Sequence, residues 1–467
     1  MIAGRRLFIV DPSLTDIRGH HYTLTRSVTE SARLRGFDVH WLSAAEVSGD
    51  LLQHKEILPT FGLSMYAAYK GSVTVGGNAP LDRLKRLGAR LLSRPEEPAA
   101  PEPSSEDKFE AVEVSIRDGL RQAIDTYGIG PADRLLFHTA DGATYRALAE
   151  VIAGLAKDDL PLFHVCTPYD PVGVMPNRRS ADEIMEVIDS LKQAGLVDRK
   201  VFLYAENPFL ADHLAEIWKV PVRPLDLPMK AVTEDEKFLA RKFRTERLKL
   251  DENAFVITSL GAARLEKGFN LIPDVVQRTF EFAGTPGFPN AKPESIKFVL
   301  QASAQIIGRH PVIAKAIERL QELPSTQVEL LLEPLTDQDY RNMLITSDAV
   351  LMPYEEQAYR VRGSGVVTEA VTARKFIVAK SGTYPARMAE LQGGATGETP
   401  REMAQSLVSI INNRWERFEP VKAGSIQYLR DNSIESYVPK LIAAERRGMA
   451  GRMAAVTDAH GEDIRPV

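Results

Sequence analysis

The sequence predicts an α/β protein of two successive doubly wound, Rossmann-like domains, and three observations predict it. Short continuous apolar runs recur along the chain, Leu7–Asp11 (L-F-I-V-D) first among them, each ending in polar residues and followed by a helical pattern. Strands buried on both faces of a parallel sheet read this way. The pattern starts afresh after Val222–Pro228 (V-R-P-L-D-L-P), a proline-punctuated stretch that reads as a connector. Finally, 467 residues exceed the roughly 250–300 at which a single core stops growing.

Composition narrows the function classes. The chain is 44% hydrophobic and 26% charged, as an ordinary globular protein is. Its formal net charge of −5 gives no concentrated basic footprint for nucleic acid, so an anionic ligand must be met locally. The single cysteine, Cys166, excludes an intrachain disulfide and a multi-cysteine zinc site and fits a reducing compartment. A cytoplasmic location is expected. The apolar run within Met1–Val10 is too short for a signal peptide, and no run approaches the roughly 20 residues that cross a bilayer.

In the first half, Leu7–Asp11 leads through a loop with Gly19, His20 and His21 to a helical pattern over Tyr22–Arg35, ended by Gly36. Asp38–Leu42 (D-V-H-W-L) is the next strand. Ligands of doubly wound sheets bind at loops leaving the carboxyl ends of strands, which makes Gly19, His20 and His21 site candidates. Pro80–Leu92 reads as a short amphipathic helix with Arg83, Lys85, Arg86 and Arg90 on it; it either packs its leucines on the domain or gives peripheral contact with an anionic membrane face. A Pro- and Glu-rich stretch over Arg94–Asp107 resembles a linker. Arg134–His138 ends at Thr139, Ala140, Asp141 and Gly142; Pro161–Cys166 ends at Thr167, Pro168, Tyr169 and Asp170; Lys200–Ala205 ends at Glu206 and Asn207. Each strand end is able to line a crevice. His164 reads as a core histidine and His138, at its strand's last position, as a candidate.

The second half repeats the plan. A charged helix over Thr233–Leu250 precedes the strand Phe255–Leu260, which runs into G-A-A-R-L-E-K-G, Gly261–Gly268. Glycine permits close backbone approach and Arg264 and Lys267 supply two positive charges, which suits an anion. Strands follow at Ile296–Gln301, Val328–Leu332 and Ala349–Met352. The last opens the stretch V-L-M-P-Y-E-E-Q-A-Y-R-V-R-G-S-G-V-V-T-E-A, in which Tyr354, Arg360, Arg362, Gly363, Ser364 and Gly365 precede a helix carrying Glu369. Amides at such a helix start, with the helix dipole, favour a phosphate. Asp337-Gln338-Asp339 spells a D-x-D pair, but Thr336 precedes it as an N-cap and acids belong in a first helical turn, so no metal is required. A helix over Ile426–Ala444, interrupted at Pro439, precedes a tail expected to be flexible from Gly448.

Gly261–Gly268 resembles the phosphate-gripping segment of glycosyltransferase family 4, Leu351–Ala370 (strand, P-Y, then S-G-V-V-T-E-A) resembles that family's donor segment, and G-H-H-Y at Gly19–Tyr22 resembles its acceptor-side loop. The resemblance implies the GT-B fold, two Rossmann-like doubly wound domains facing a central cleft: an acceptor-side domain over 1–228, a donor domain over 229–425, a helical segment over 426–447 returning to the first domain, and a tail over 448–467. It implies transfer of a sugar from a nucleotide diphosphate sugar to a glycan, lipid-linked or small-molecule acceptor, with retention and without a cofactor or metal. The alternatives are an epimerase or hydrolase of the same fold, or a non-catalytic nucleotide-sugar-binding protein. By the resemblance Arg264 and Lys267 grip the diphosphate, backbone at Ser364, Gly365 and Val366 holds phosphate, and Glu369 takes the ribose hydroxyls. Gly261, Tyr354 and Arg362 complete the donor set. His138 and Asp170 join Arg264 and Lys267 as catalytic candidates, and Asp141 and Tyr169 stand on the acceptor side. The family usually carries a glutamate eight positions before its ribose-binding one; here that position is Val361, with Glu355 and Glu356 upstream as substitutes.

Overall fold

A computed structural model describes residues 5–17, 19–63, 105–171, 178–251, 253–302 and 310–459. The basic helix read over 80–92 lies outside them. The chain divides into two compact units, one of residues 1–25, 36–166 and 179–202, the other of 26–35, 167–178 and 203–467.

The first sheet has seven strands: β1 (Arg6–Val10), β2 (Asp38–Ala44), β3 (Ile57–Phe61), β4 (Arg134–Phe137), β5 (Leu162–Thr167), β6 (Val201–Ala205) and β7 (Val222–Pro224), in the order 3-2-1-4-5-6-7. The central strands are the apolar runs of the sequence, and Leu7, Phe8, Ile9 and Val10 are all buried. The second sheet has six, β8 (Phe255–Ser259), β9 (Ile296–Gln301), β10 (Val328–Leu331), β11 (Ala349–Met352), β12 (Phe376–Lys380) and β13 (Ala395–Gly397), in the order 10-9-8-11-12-13. Its paired strands are parallel, and residues of β8, β9, β11 and β12 fill two hydrophobic clusters, one on each sheet face. Both sheets are doubly wound, and each order reverses once: between β1 and β4, and between β8 and β11. Such switch points are where open α/β sheets receive ligands.

Three departures from the sequence reading fall at prolines. β7 occupies the start of the stretch read as a connector, with Leu203 opposite Val222 and Ala205 opposite Pro224, and β3 contains Pro59. Both are edge strands, where a residue without an N–H costs no ladder hydrogen bond. At the other end, the break falls at Ser433, between the helices Arg414–Asn432 and Ile434–Ala459, and the second helix runs through Pro439 and past Gly448. Pro439 sits only six positions into that helix, so it removes little of the ladder. The charged helix over Glu234–Lys242 begins with a reciprocal capping box between Thr233 and Glu236 and passes into a π-helical turn at Phe243–Arg247. No helix among the described residues is long and apolar enough to cross a membrane.

Candidate functional site

At the second switch point, β8 delivers Gly261 and β11 delivers Tyr354. Gly261 has φ +93° and its N–H donates to Gln301 Oε1 at 2.7 Å. A Cβ on Gly261 would stand 2.5 Å from Lys267 Nζ, so only glycine lets that ammonium lie across the turn. Gly268, at φ +62°, packs so closely on Pro353 that a Cβ there would overlap the Pro353 carbonyl oxygen. This contact between the β8 and β11 loops fixes Lys267 beside the second loop. Lys267 Nζ lies 5.7 Å from the centroid of the buried Tyr354 ring, and the Arg362 guanidinium lies 5.1 Å from that of Tyr359. The Tyr354 and Tyr359 rings are 4.5 Å apart and form the floor under the two cations.

The electrostatics favour an anion. Burial, then the charges of Arg264 and Arg362, lower Lys267 to about 8, against the opposing pull of Glu266 and Glu369. Arg264 is exposed and its only described partner is Glu266, a long 3.5 Å away. The helix Gly365–Thr372 begins at Ser364 with no side-chain cap, which leaves the first-turn amides of Gly365 and Val366 without an internal acceptor. Glu369 sits one turn in, where its Oε2 accepts from the Tyr340 hydroxyl at 2.6 Å; burial raises its carboxyl in spite of that bond. Tyr340 lies 29 positions away, and neither it nor Gln301 carries a sequence signal of this role.

At the first switch point the candidates sort differently. Gly19, His20 and His21 do not precede the first helix; they open it, since the helix spans Gly19–Arg33. This places His21 over the end of β1, where its Nδ1–H donates to Asp11 Oδ2 at 2.9 Å. The buried His138, just past β4, has Nε2 3.4 Å from the same oxygen and 3.1 Å from Thr25 Oγ1. Burial lowers His138 to about 4, so its ring is neutral. Burial works to raise Asp11, but His138 and the hydrogen bond from His21 outweigh it and hold the carboxyl below the usual range. Sequence reading missed Asp11 as a site residue; its signal was a carboxylate ending an otherwise apolar strand.

Two further candidates are engaged locally. Asp141 caps the helix Gly142–Ala153, its Oδ1 accepting from the Thr144 N–H at 2.9 Å and hydroxyl at 2.8 Å. Asp170 is buried with Oδ2 3.1 Å from His213 Nε2, and Tyr169 is half-buried beside it. His138 thus belongs to the first compact unit, and Arg264, Lys267 and Asp170 to the second. His164 packs in the core, its ring 5.2 Å from that of Phe202. Asp337 and Asp339 lie in a first helical turn capped by Thr336. Among the described residues no group of three or more His, Cys, Asp or Glu side chains is placed to hold a metal ion.

No protein-family model matches the chain, and no curated protein matches it in sequence. Solved structures do match it. The N-terminal domain of Candida albicans trehalose-6-phosphate phosphatase is 12% identical, with 95% of this chain and 97% of that one covered at a TM-score of 0.64. The α,α-trehalose 6-phosphate synthase of Burkholderia multivorans is 15% identical over 99% and 100%, at 0.59. Sucrose-phosphate synthase of Thermosynechococcus elongatus is 12% identical over 96% and 100%, also at 0.59. At these identities the likeness establishes the fold: the chain has the two Rossmann-like domains of GT-B proteins.

Proposed function

We propose that the chain is a glycosyltransferase that takes a sugar from a nucleotide diphosphate sugar at the second switch point and passes it to a hydroxyl of an acceptor. One observation carries this reading: Arg264 and Lys267 after β8, Arg362, and the uncapped first turn at Gly365 and Val366 after β11 all belong to the loops of one switch point, and Lys267 is lowered to about 8 partly by its cationic neighbours. Glu369, hydrogen-bonded to Tyr340, is the acceptor for the ribose hydroxyls. That the solved neighbours include synthases of trehalose 6-phosphate and sucrose phosphate supports the same reading, and favours a sugar or sugar phosphate over a lipid-linked acceptor.

In this reaction the bond between the anomeric carbon and the diphosphate oxygen breaks, the electron pair leaves with the diphosphate, and the acceptor oxygen forms the new bond. The acceptor's proton passes to the departing phosphate oxygen, on the face where attack occurs, which retains configuration. Negative charge grows on the diphosphate as the bond lengthens. Cations fixed beforehand stabilise that charge more in the transition state than in the ground state, which is what accelerates the step. This reading invokes no metal. The test is nucleoside diphosphate release from a panel of uridine, guanosine and adenosine diphosphate sugars, with and without sugars and sugar phosphates as acceptors. Release that requires an acceptor supports transfer; release with water alone indicates a hydrolase, and none from any pair contradicts the proposal.

A further inference from the structure

A sugar has many hydroxyl donors, whereas the site described so far supplies mainly donors of its own. Lys267, Arg264, Arg362 and two backbone amides suit phosphate oxygens, and Glu369 is engaged with Tyr340. Candidate acceptors for the sugar are the carboxylates that stand near the Arg362–Gly365 loop within the same compact unit. Glu266 pairs with Arg264 at 3.5 Å. Glu355 pairs with Lys380 at 3.5 Å. Glu356 is exposed and turned onto Gly382, where a Cβ would meet its carboxyl carbon at 2.8 Å. Val361 is buried and its carbonyl accepts from Asn207 Nδ2 at 2.9 Å, so that position offers the ligand neither a polar side chain nor a free carbonyl.

Glu206 is different. It follows β6, next to Asn207, whose Oδ1 caps the helix Pro208–Trp218 by accepting from the Leu210 N–H at 3.0 Å while its amide grips the donor loop at Val361. That double attachment holds Glu206 against the loop: a Cβ on Gly363 would meet its carboxyl carbon and Oε1 at 3.0 Å and Oε2 at 3.3 Å. Gly363 is two residues from the first uncapped amide. Among the described residues no hydrogen bond or ion pair within 4 Å ends on the Glu206 carboxylate, although it is only partly exposed and Arg362 attracts it. A partly desolvated carboxylate with no protein donor is held at some cost, and a ligand's hydroxyls relieve that cost.

We propose that Glu206 is the specificity-determining acceptor for hydroxyls of the donor's sugar, lying beside Gly363 next to the phosphate-binding turn. The inference rests on the donor-site reading above. Burial, and after it the nearby Asp226 carboxylate, raise Glu206 to about 7; at neutral pH both forms are present, and the ionised one is the stronger acceptor from a hydroxyl.

The test compares uridine, guanosine and adenosine diphosphates with their glucosyl conjugates, by calorimetric titration of the full chain and of the Glu206→Gln and Gly363→Ala variants. Glu206→Gln keeps the shape and removes the charge. Gly363→Ala keeps the charge but forces the carboxylate to move. For the nucleotide pair that wild type binds, both variants are expected to hold the bare diphosphate within about twofold of wild type and to lose roughly ten- to a hundredfold for the conjugate, the range of a hydrogen bond to a charged group. If Glu206 only orders Arg362, both ligands weaken together in Glu206→Gln; that result, or no change in either, overturns the inference and leaves the donor site standing. Failure of wild type to bind any of the six overturns the donor-site reading and this inference together. Should Glu206→Gln fold poorly, Gly363→Ala decides on the same criterion.

Discussion

The two switch points hold their charged groups in opposite ways. In the first sheet, Asp11 accepts from His21 and faces His138, so the one carboxylate is matched within the protein, while His138 Nδ1 is buried without a hydrogen-bond partner. In the second, Lys267, Arg264 and Arg362 are only loosely countered: Glu266 is 3.5 Å from Arg264, Glu369 is bonded to Tyr340, and Glu206 is attracted by Arg362 without an ion pair to it. The difference teaches where binding energy resides. A carboxylate already matched by its neighbours gains little from a cation and is suited to holding a neutral imidazole in place, whereas a cluster of half-buried and exposed cations is stabilised by a ligand that brings negative charge. Equivalent positions in two similar sheets therefore do different work.

Breaking the cationic half should have the largest effect. Replacing Lys267 or Arg264 with Ala is expected to lower kcat by about 10²–10³, the usual loss for one preorganised group facing transition-state charge, measured by diphosphate release under saturating donor and acceptor. Normal turnover in Arg264→Ala would remove the phosphate-grip assignment. Next in size, Asp11→Asn deprives His21 of its charged acceptor and is expected to destabilise the fold by about 1–3 kcal/mol in chemical denaturation, with nucleoside diphosphate affinity unchanged. A parallel loss of affinity would mean that the two clusters are not independent in the way their charges imply.

The smallest effect is the most specific. Lys267 titrates at about 8 in the free protein, and its protonated form is the one that attracts phosphate. A bound anion raises that value, so affinity is full below about pH 8 and falls above it, by at most about tenfold per pH unit. Titrations at pH 7.0–9.5 in wild type and Lys267→Met check this, and the slope should vanish in the variant.

Much of this was legible in the sequence because parallel strands buried on both faces are unbroken apolar runs. β1, β4, β5, β6, β8, β9 and β11 were all visible, and with them the loops that follow β8 and β11. Of the four edge strands only β10 was, because Pro59, Pro224 and the short A-T-G of β13 lack the pattern that burial on both faces imposes. Within the site, Arg264, Lys267, Ser364 and Glu369 carried local signals of loop chemistry. Asp11 and Glu206 carried only the general signal of a polar residue at a strand end, and Gln301 and Tyr340 none, since each acquires its role from a partner distant in the chain, such as Tyr340 from Glu369 or Glu206 from Gly363. The helix start at Gly19 was misplaced for a related reason: what His21 does there depends on Asp11, which belongs to another element.

The central claim, that the second switch point is a diphosphate site completed by its ligand, is tested most directly by thermal unfolding of the full chain against rising nucleoside diphosphate. At about 100 times the dissociation constant a ligand specific to the folded state adds about 2.7 kcal/mol. A concentration-dependent rise in Tm with at least one diphosphate in wild type, absent in a Lys267→Ala/Arg264→Ala double variant, is the predicted result; equal shifts in the two proteins, or none in wild type with any nucleotide, would contradict it.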